Sequence, residues 1–305
     1  MAEGGYAWWY LDAVSDDGRH ALALIAFVGS VFSPYYASAR RRGGGLADPL
    51  AHCAVNVALY GPARARWAMT ERGRHACVRD AQRLQIGPST LRWDGLSLDV
   101  LLDEIAVPWP ARIRGCIRLC TPAWSRHPIE LDDAGRHSWS VLAPCARVEV
   151  DLDTPRQRWS GQAYLDTNRG TEPLESAFDR WDWSRARLRD GSTAVMYDIR
   201  RRDGSPLSLA MRIGPDGALR ETHAPDATAL PATAWRLARG CRSDAGLPPR
   251  IVRPLEDGPF YARSLLAAQW NGEPVQVMHE SLSLRRFRQR WVQALLPWRM
   301  PRRAG

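Results

Sequence analysis

A phenol and a carboxyl stand two residues apart in the stretch Arg158-Trp-Ser-Gly-Gln-Ala-Tyr-Leu-Asp-Thr-Asn-Arg-Gly170. The stretch alternates like a strand, with Gln162, Tyr164 and Asp166 on one face and Trp159, Gly161, Ala163 and Leu165 on the other. Two residues of strand rise roughly 6.6 Å, so Tyr164 and Asp166 project side by side. In a chain with 14 tryptophans, such a carboxyl can be an acid kept protonated in an apolar pocket. The competing reading is an ordinary hydrogen-bonded Asp at a strand end, which for this stretch alone is the commoner arrangement.

Other chemistries lack their residues. The 42 basic side chains are all arginine, so Schiff-base chemistry and a Walker-type phosphate lysine are excluded. Arg40-Arg-Arg-Gly-Gly-Gly45 has neither the spacing nor the following helix of a nucleotide-binding turn and reads as a basic surface loop. There is no GxSxG elbow, no HExxH and no EF-hand loop. The histidines are isolated: His52-Cys53 and His75-Ala-Cys77 lack ligand-cluster spacing, so no metal site is expected. His279-Glu-Ser281 reads as three polar residues following a strand, in a capping or barrel-mouth hydrogen-bonding role. The six cysteines form no CxxC pair and read as reduced thiols. What remains is proton chemistry on an apolar molecule. Asp166 would protonate an alkene, aromatic faces would hold the cation, and water would add at the more substituted carbon.

Composition is globular, with 45% hydrophobic and 25% charged residues in 305. The net charge of +9 suggests an acidic partner such as a membrane surface or nucleic acid. No RRM, KH or zinc-finger pattern is present, so nucleic acid is not expected. The longest apolar run, Ala21 to Phe32, is too short to span a bilayer and is interrupted by Gly29 and Ser30. No export signal is visible, and the expectation is a cytoplasmic protein, soluble or peripheral to a membrane.

The elements that must position Asp166 are strands. Tyr6–Asp12 and Ala21–Phe32 predict a hairpin around Ser15–Gly18, ended by Ser33-Pro34. Further strands are expected at Cys53–Tyr60, Arg66–Glu71, Arg112–Leu119, His137–Ala143 and Ala146–Leu152, with two more on either side of a turn within Leu91–Val100. In the second half, Asp190-Gly191, Asp203-Gly204 and Asp216-Gly217 recur thirteen residues apart, and Asn271-Gly272 marks another hairpin. The fold class is therefore all-β: two consecutive lipocalin-like antiparallel barrels or sandwiches, over residues 1–170 and 171–305, each with an interior able to hold an apolar ligand. Ser283 could cap a C-terminal amphipathic helix with Leu284, Phe287, Trp291 and Leu295 on one face, stopped by Pro297. Its arginines suit either an anchor on anionic lipid or a solvated face over a barrel end.

Several blocks carry a resemblance: Gly4–Asp12, Phe27–Tyr36, His52–Tyr60, Arg66–Arg72, Gly135–Trp139, Tyr164–Gly170, Glu172–Glu175, Trp181–Arg185, His279–Leu282 and Leu295–Arg302. The chain resembles the carotenoid 1,2-hydratases, or hydroxyneurosporene synthases, of purple photosynthetic bacteria. The resemblance covers nearly the whole chain, and no N-terminal extension before the first block is expected. It implies addition of water to the terminal C1=C2 bond of an acyclic carotenoid such as neurosporene or lycopene, without a cofactor. It also implies a catalytic Asp with a nearby Tyr and Trp, falling here on Asp166, Tyr164 and Trp139, and a place on the inner or intracytoplasmic membrane. The wider group includes cyclases and pericyclases with a His after the Asp, where this chain has Thr167. A carotenoid carrier without catalysis is the remaining alternative.

Overall fold

The computed structural model describes residues 1–303, which divide into two units: Met1–Pro173 with the chain end from Ala294 onward, and Leu174–Gln293. The first unit begins with β1 (Tyr6–Ser15) and β2 (Ala21–Val28), then helix α1 (Pro34–Arg42), β3 (Cys53–Tyr60) and β4 (Arg66–Arg72). There follow β5 (Cys77–Arg79), β6 (Arg83–Ile86), β7 (Ser89–Trp93), β8 (Ser97–Ile105), β9 (Arg112–Cys120) and β10 (His127–Glu130). Two long strands, β11 (His137–Thr154) and β12 (Gln157–Gly170), complete the set. They form one antiparallel sheet in the order β4-β3-β2-β1-β12-β11-β9-β8-β7-β6-β5, with β10 on β11.

The sheet curls around a core that includes Leu11, Leu24, Val57, Val100, Ile117 and Leu165. Across the curl, Arg72 of β4 reaches Glu104 of β8 at 3.4 Å, and Ser89 Oγ donates to Glu104 Oε1 at 2.8 Å. Burial pushes the Glu104 carboxyl up to about 7. Arg147–Leu152 of β11 alternates between solvent and core, as a one-sided strand should. β1, β2 and β3 are buried on both faces, Cys53–Tyr60 at every residue, so their apolar runs are nearly continuous. The first unit therefore buries a second sheet face as well as its core.

Two local readings of this unit change. Residues 40–42 are not loop but the last turn of α1, which Ser33 caps by accepting from the N–H groups of Tyr35 and Tyr36, with Pro34 in the first turn. That Ser-Pro start is a helix signal which the arginine and glycine run obscures. Segments 137–143 and 146–152 are one strand, β11, whose register against β12 shifts between Val141 and Ala146. The extra residues there include Pro144, which has no N–H for a ladder.

The second unit opens with a turn of helix, α2 (Leu174–Ala177), followed by β13 (Phe178–Arg187), β14 (Thr193–Arg201), β15 (Pro206–Ile213) and β16 (Leu219–Glu221). The three Asp-Gly turns connect these strands with glycine φ of +83°, +88° and +80°. β17 (Asp226–Leu230) and β18 (Arg239–Ser243) pair with each other. β19 (Arg250–Asp257), β20 (Tyr261–Trp270) and β21 (Glu273–Ser283) complete a sheet ordered β16-β15-β14-β13-β21-β20-β19. Asn271 and Gly272, both at positive φ, make the β20–β21 turn.

The C-terminal helix is two pieces, α3 (Leu284–Phe287), where Ser283 Oγ accepts from Arg286 N, and α4 (Arg290–Arg299). The break separates the four residues expected on one face: Leu284 and Phe287 are buried, Trp291 and Leu295 exposed. Pro297 lies inside α4 rather than stopping it. Beyond α4, β22 (Arg302–Arg303) adds parallel to β4, and Arg302 binds the buried Glu71 carboxylate and, at 3.0 Å, the Ala51 carbonyl. His52 Nδ1 lies 2.9 Å from the same Glu71 oxygen.

Candidate active site

β12 sits between β1 and β11, and its alternation separates two environments. Ala163 and Leu165 face the apolar core with Trp159 packed beside them, whereas Tyr164 and Asp166 point to the opposite face. Asp166, Tyr164 and Trp139 lie on the second buried face, not among the core residues. The reason is register. Odd residues of this stretch of β12 belong to the core, so the Tyr-x-Asp pair must face away from it.

The cross-strand partners define the surroundings. Asp166 is paired with Tyr10 of β1 and Val141 of β11, and Tyr164 with Asp12. Trp139, one diagonal step away on β11, donates its indole N–H to Asp166 Oδ2 at 2.8 Å. Asp166 is 3% exposed, and Tyr10, Asp12, Trp139 and Tyr164 are all buried. The β11 bulge begins at Val141, directly opposite Asp166, so an irregularity in the sheet adjoins the carboxyl.

An aromatic row continues from there. Trp8 stacks on Tyr6 with centroids 5.1 Å apart, and Tyr6 on His137 at 5.8 Å. The Tyr6 hydroxyl lies 2.8 Å from His137 Nδ1, and His137 Nε2 lies 3.3 Å from Glu172 Oε1. Burial holds the imidazole pKa below its ordinary value, against the opposing pull of Glu172. Gly170 makes this meeting possible: a Cβ there would come within 2.5 Å of the Tyr6 ring and 2.7 Å of His137 Nδ1.

A separate polar cluster occupies the second unit. His279 is a fully buried residue inside β21, not a residue beyond a strand end, which corrects the mouth-or-cap reading of His279–Ser281. Its Nδ1 lies 2.8 Å from Ser184 Oγ and its Nε2 3.0 Å from Ser281 Oγ, and Ser281 donates to Asp182 Oδ1. Burial lowers His279 to about 3 and raises Asp182 to about 6.

Asp166, Tyr164 and Trp139 thus come together on one face, with Trp139 and Asp166 in direct contact. Tyr6, Trp8, Tyr10, Asp12 and His137 were not singled out from sequence as part of the same face. For the β1 residues the signal is weak, because a strand buried on both faces shows no alternation. Among the described residues, no group of three or more His, Cys, Asp or Glu side chains could hold a metal ion.

Comparisons with known proteins bear on the whole chain. The family model for the carotenoid hydratase CrtC matches residues 24–305. The acyclic carotenoid 1,2-hydratase of Rubrivivax gelatinosus is 52% identical over 99% of this chain and 74% of its own length. That of Thiocapsa roseopersicina is 54% identical over 100% of this chain and 75% of its own length. That of Cereibacter sphaeroides is 40% identical over 92% and 99% respectively. Among solved structures, a putative AttH from Nitrosomonas europaea superposes with a TM-score of 0.62 at 15% identity, covering 91% of this chain and 92% of its own. CghA with Sch210972 superposes with 0.59 at 14%, covering 92% and 88%. At such identities these two speak for the lipocalin-like all-β fold alone.

Proposed function

This chain belongs to the carotenoid hydratase CrtC family, and from that membership we propose that it hydrates the terminal C1=C2 bond of an acyclic carotenoid with Asp166 as the acid. The observation that carries the assignment is Asp166 itself. It is a buried carboxyl on an aromatic face, held by the Trp139 indole N–H.

The chemistry follows from that environment. In a site shut off from water, a carboxylic acid can deliver its proton to a weakly basic alkene without water competing for it. Proton transfer from Asp166 to C2 leaves a tertiary cation at C1. The π-faces of Tyr10 and Trp8, cross-strand neighbours of Asp166 and Asn168, are suited to stabilise it. Water then bonds to C1, and loss of its extra proton to the Asp166 carboxylate restores the acid. The product is a 1-hydroxy carotenoid. No electron is transferred, so an acid and a water suffice and no cofactor is invoked. Tyr164, two residues along the same face, lies beside Asp166 and shapes the apolar wall.

Thr167 stands where the cyclase-type pattern has a His. It lies on the core side of β12 and its hydroxyl donates to the Trp8 carbonyl at 2.8 Å, so the position after the Asp offers nothing to the Asp166 face.

Cells making lycopene or neurosporene, given this chain and its Asp166→Asn variant, test the proposal. Hydroxylated product with the first and unchanged polyene with the second, at equal folded protein, supports it. Full activity in Asp166→Asn overturns the acid assignment, and stoichiometric recovery of unchanged polyene from the parent chain would make the protein a carrier.

A peripheral membrane contact suits so apolar a substrate. Among the described residues no helix is long and apolar enough to cross a membrane. Trp298 and Leu295 of α4 are nonetheless exposed, Trp298 at 80%, in a chain of net charge +9. We propose that this end of α4 meets anionic lipid.

A further inference from the structure

The core side of β12 opens onto a cavity of about 570 Å³ inside the curled sheet of the first unit, within the roughly 300–1,000 Å³ range of small-ligand sites. Its walls include Leu165 and Thr167, the residues flanking Asp166, so the sheet itself separates it from the catalytic face. The proposed hydration therefore leaves this cavity unused.

Its chemistry is specific. Trp9, Trp93, Trp124 and Leu142 give it an apolar wall, with the Trp93 and Trp124 rings edge-to-face at 5.9 Å. The indole nitrogens of both, and the hydroxyl of Ser125, are shut off from solvent without a hydrogen-bond partner. Ser125 is 4% exposed. Buried donors of this kind are costly unless a ligand oxygen meets them. Four arginines also line the cavity: Arg79, Arg83, Arg126 and Arg169. Arg79 lies over the Trp9 ring at 5.1 Å and Arg169 donates to Ser138 Oγ at 3.0 Å. Among the described residues, none of the four is ion-paired with a carboxylate. The one carboxylate in the lining, Asp80, is occupied by the backbone N–H groups of Gln82 and Arg83, each at 2.7 Å.

We propose that this cavity binds a long-chain carboxylate. The acyl chain lies on the tryptophans and leucines, and the carboxylate meets the arginines and the unpartnered indole and hydroxyl donors. An acyclic hydrocarbon carotenoid has no oxygen to satisfy those donors, and a neutral alcohol leaves the guanidinium groups unmatched.

Equilibrium dialysis of the full-length protein against labelled oleate tests this, with oleyl alcohol as the neutral control. One saturable oleate site is expected, with at least tenfold weaker binding of oleyl alcohol. Affinity should fall at least tenfold in the double variant Arg83→Glu, Arg126→Glu, whose side chains are exposed and free of carboxylate pairing. It should be unchanged in Asp166→Asn, which lies across the sheet. Absence of saturable binding overturns the proposal, as does equal affinity for oleyl alcohol. So does unaltered affinity in the charge-reversal variant, or loss of oleate binding in folded Asp166→Asn.

Discussion

Trp139 Nε1 and Asp166 Oδ2 are joined across the β11–β12 ladder at 2.8 Å, on the sheet face turned away from the core. Trp139→Phe keeps a ring on that face and removes only the donor. A hydrogen bond to the carboxylate that forms as the proton leaves contributes about 1.5–3 kcal/mol. If it acts at the transition state, kcat should fall roughly 10- to 150-fold. Thermal denaturation of the variant beside its hydration rate checks this: an unchanged rate in a folded variant removes the indole N–H from the reaction.

Gly170 pairs with Tyr6 on one side and His137 on the other, and those two rings fill the space where a Cβ would stand. Gly170→Ala should therefore destabilise the first unit, by about 1–3 kcal/mol as in overpacking. Tyr6→Phe, which loses one hydrogen bond to His137 and keeps the stacking, should cost about 1 kcal/mol. Urea midpoints of the two variants decide; equal midpoints would mean the ring packing at Gly170 yields without strain.

How far these features were legible in the chain depends on whether their signal is local. Asp190-Gly191 and Asn271-Gly272 specify their turns within two residues, and Tyr164-x-Asp166 declares a shared face by strand periodicity alone. Which face that is depended on pairing. The core side of β12 becomes evident only when Ala163 and Leu165 meet Ala13 and Leu11 of β1, some 150 residues away in sequence. Tyr10 and Asp12 escaped notice because β1 is buried on both sides. The helix α1 escaped because its basic last turn and triple glycine resemble a loop.

Arg302 and Glu71 show the same dependence on non-local pairing, and they make the chain end structural. Glu71 is 2% exposed, and Arg302→Ala leaves its carboxylate with His52 alone. The expected cost is at the lower end of the about 3–5 kcal/mol typical of breaking a buried pair, because the Arg302 side chain keeps 31% of its exposure. Chemical denaturation checks this; a loss below about 0.5 kcal/mol would place Arg302 with ordinary surface ion pairs.

The Arg302 contact also decides how membrane binding should be measured. Removing residues 284–305 would delete Arg302 together with α4, so altered pelleting could reflect lost stability. Trp298→Ser with Leu295→Ser changes only exposed side chains. Sedimentation with anionic vesicles should fall severalfold in that variant at an unchanged urea midpoint. Equal sedimentation would take this end of α4 off the membrane.

His279 and Asp182 tie the stability of the second unit to pH in opposite directions. Burial lowers His279 from 6.5 to about 3 in the folded chain, so between those values the unfolded chain holds the extra proton. The His279 contribution is complete above pH 6.5 and is lost as pH falls toward 3. Asp182 is raised from 3.8 to about 6, so its contribution is complete below pH 3.8 and is lost as pH rises through 6. Between pH 4 and 6 the two slopes oppose each other. His279→Gln removes the first and leaves the second. The variant, compared with the parent chain, should gain relative stability as pH is lowered from 6.5 to 4. The overall loss from disturbing the Ser184 and Ser281 hydrogen bonds is the same at both ends. Urea midpoints of both proteins at pH 4, 5 and 6.5 measure the difference directly. Parallel curves would show that His279 takes up its proton inside the fold as readily as in the unfolded chain, in contradiction to its complete burial between two serines.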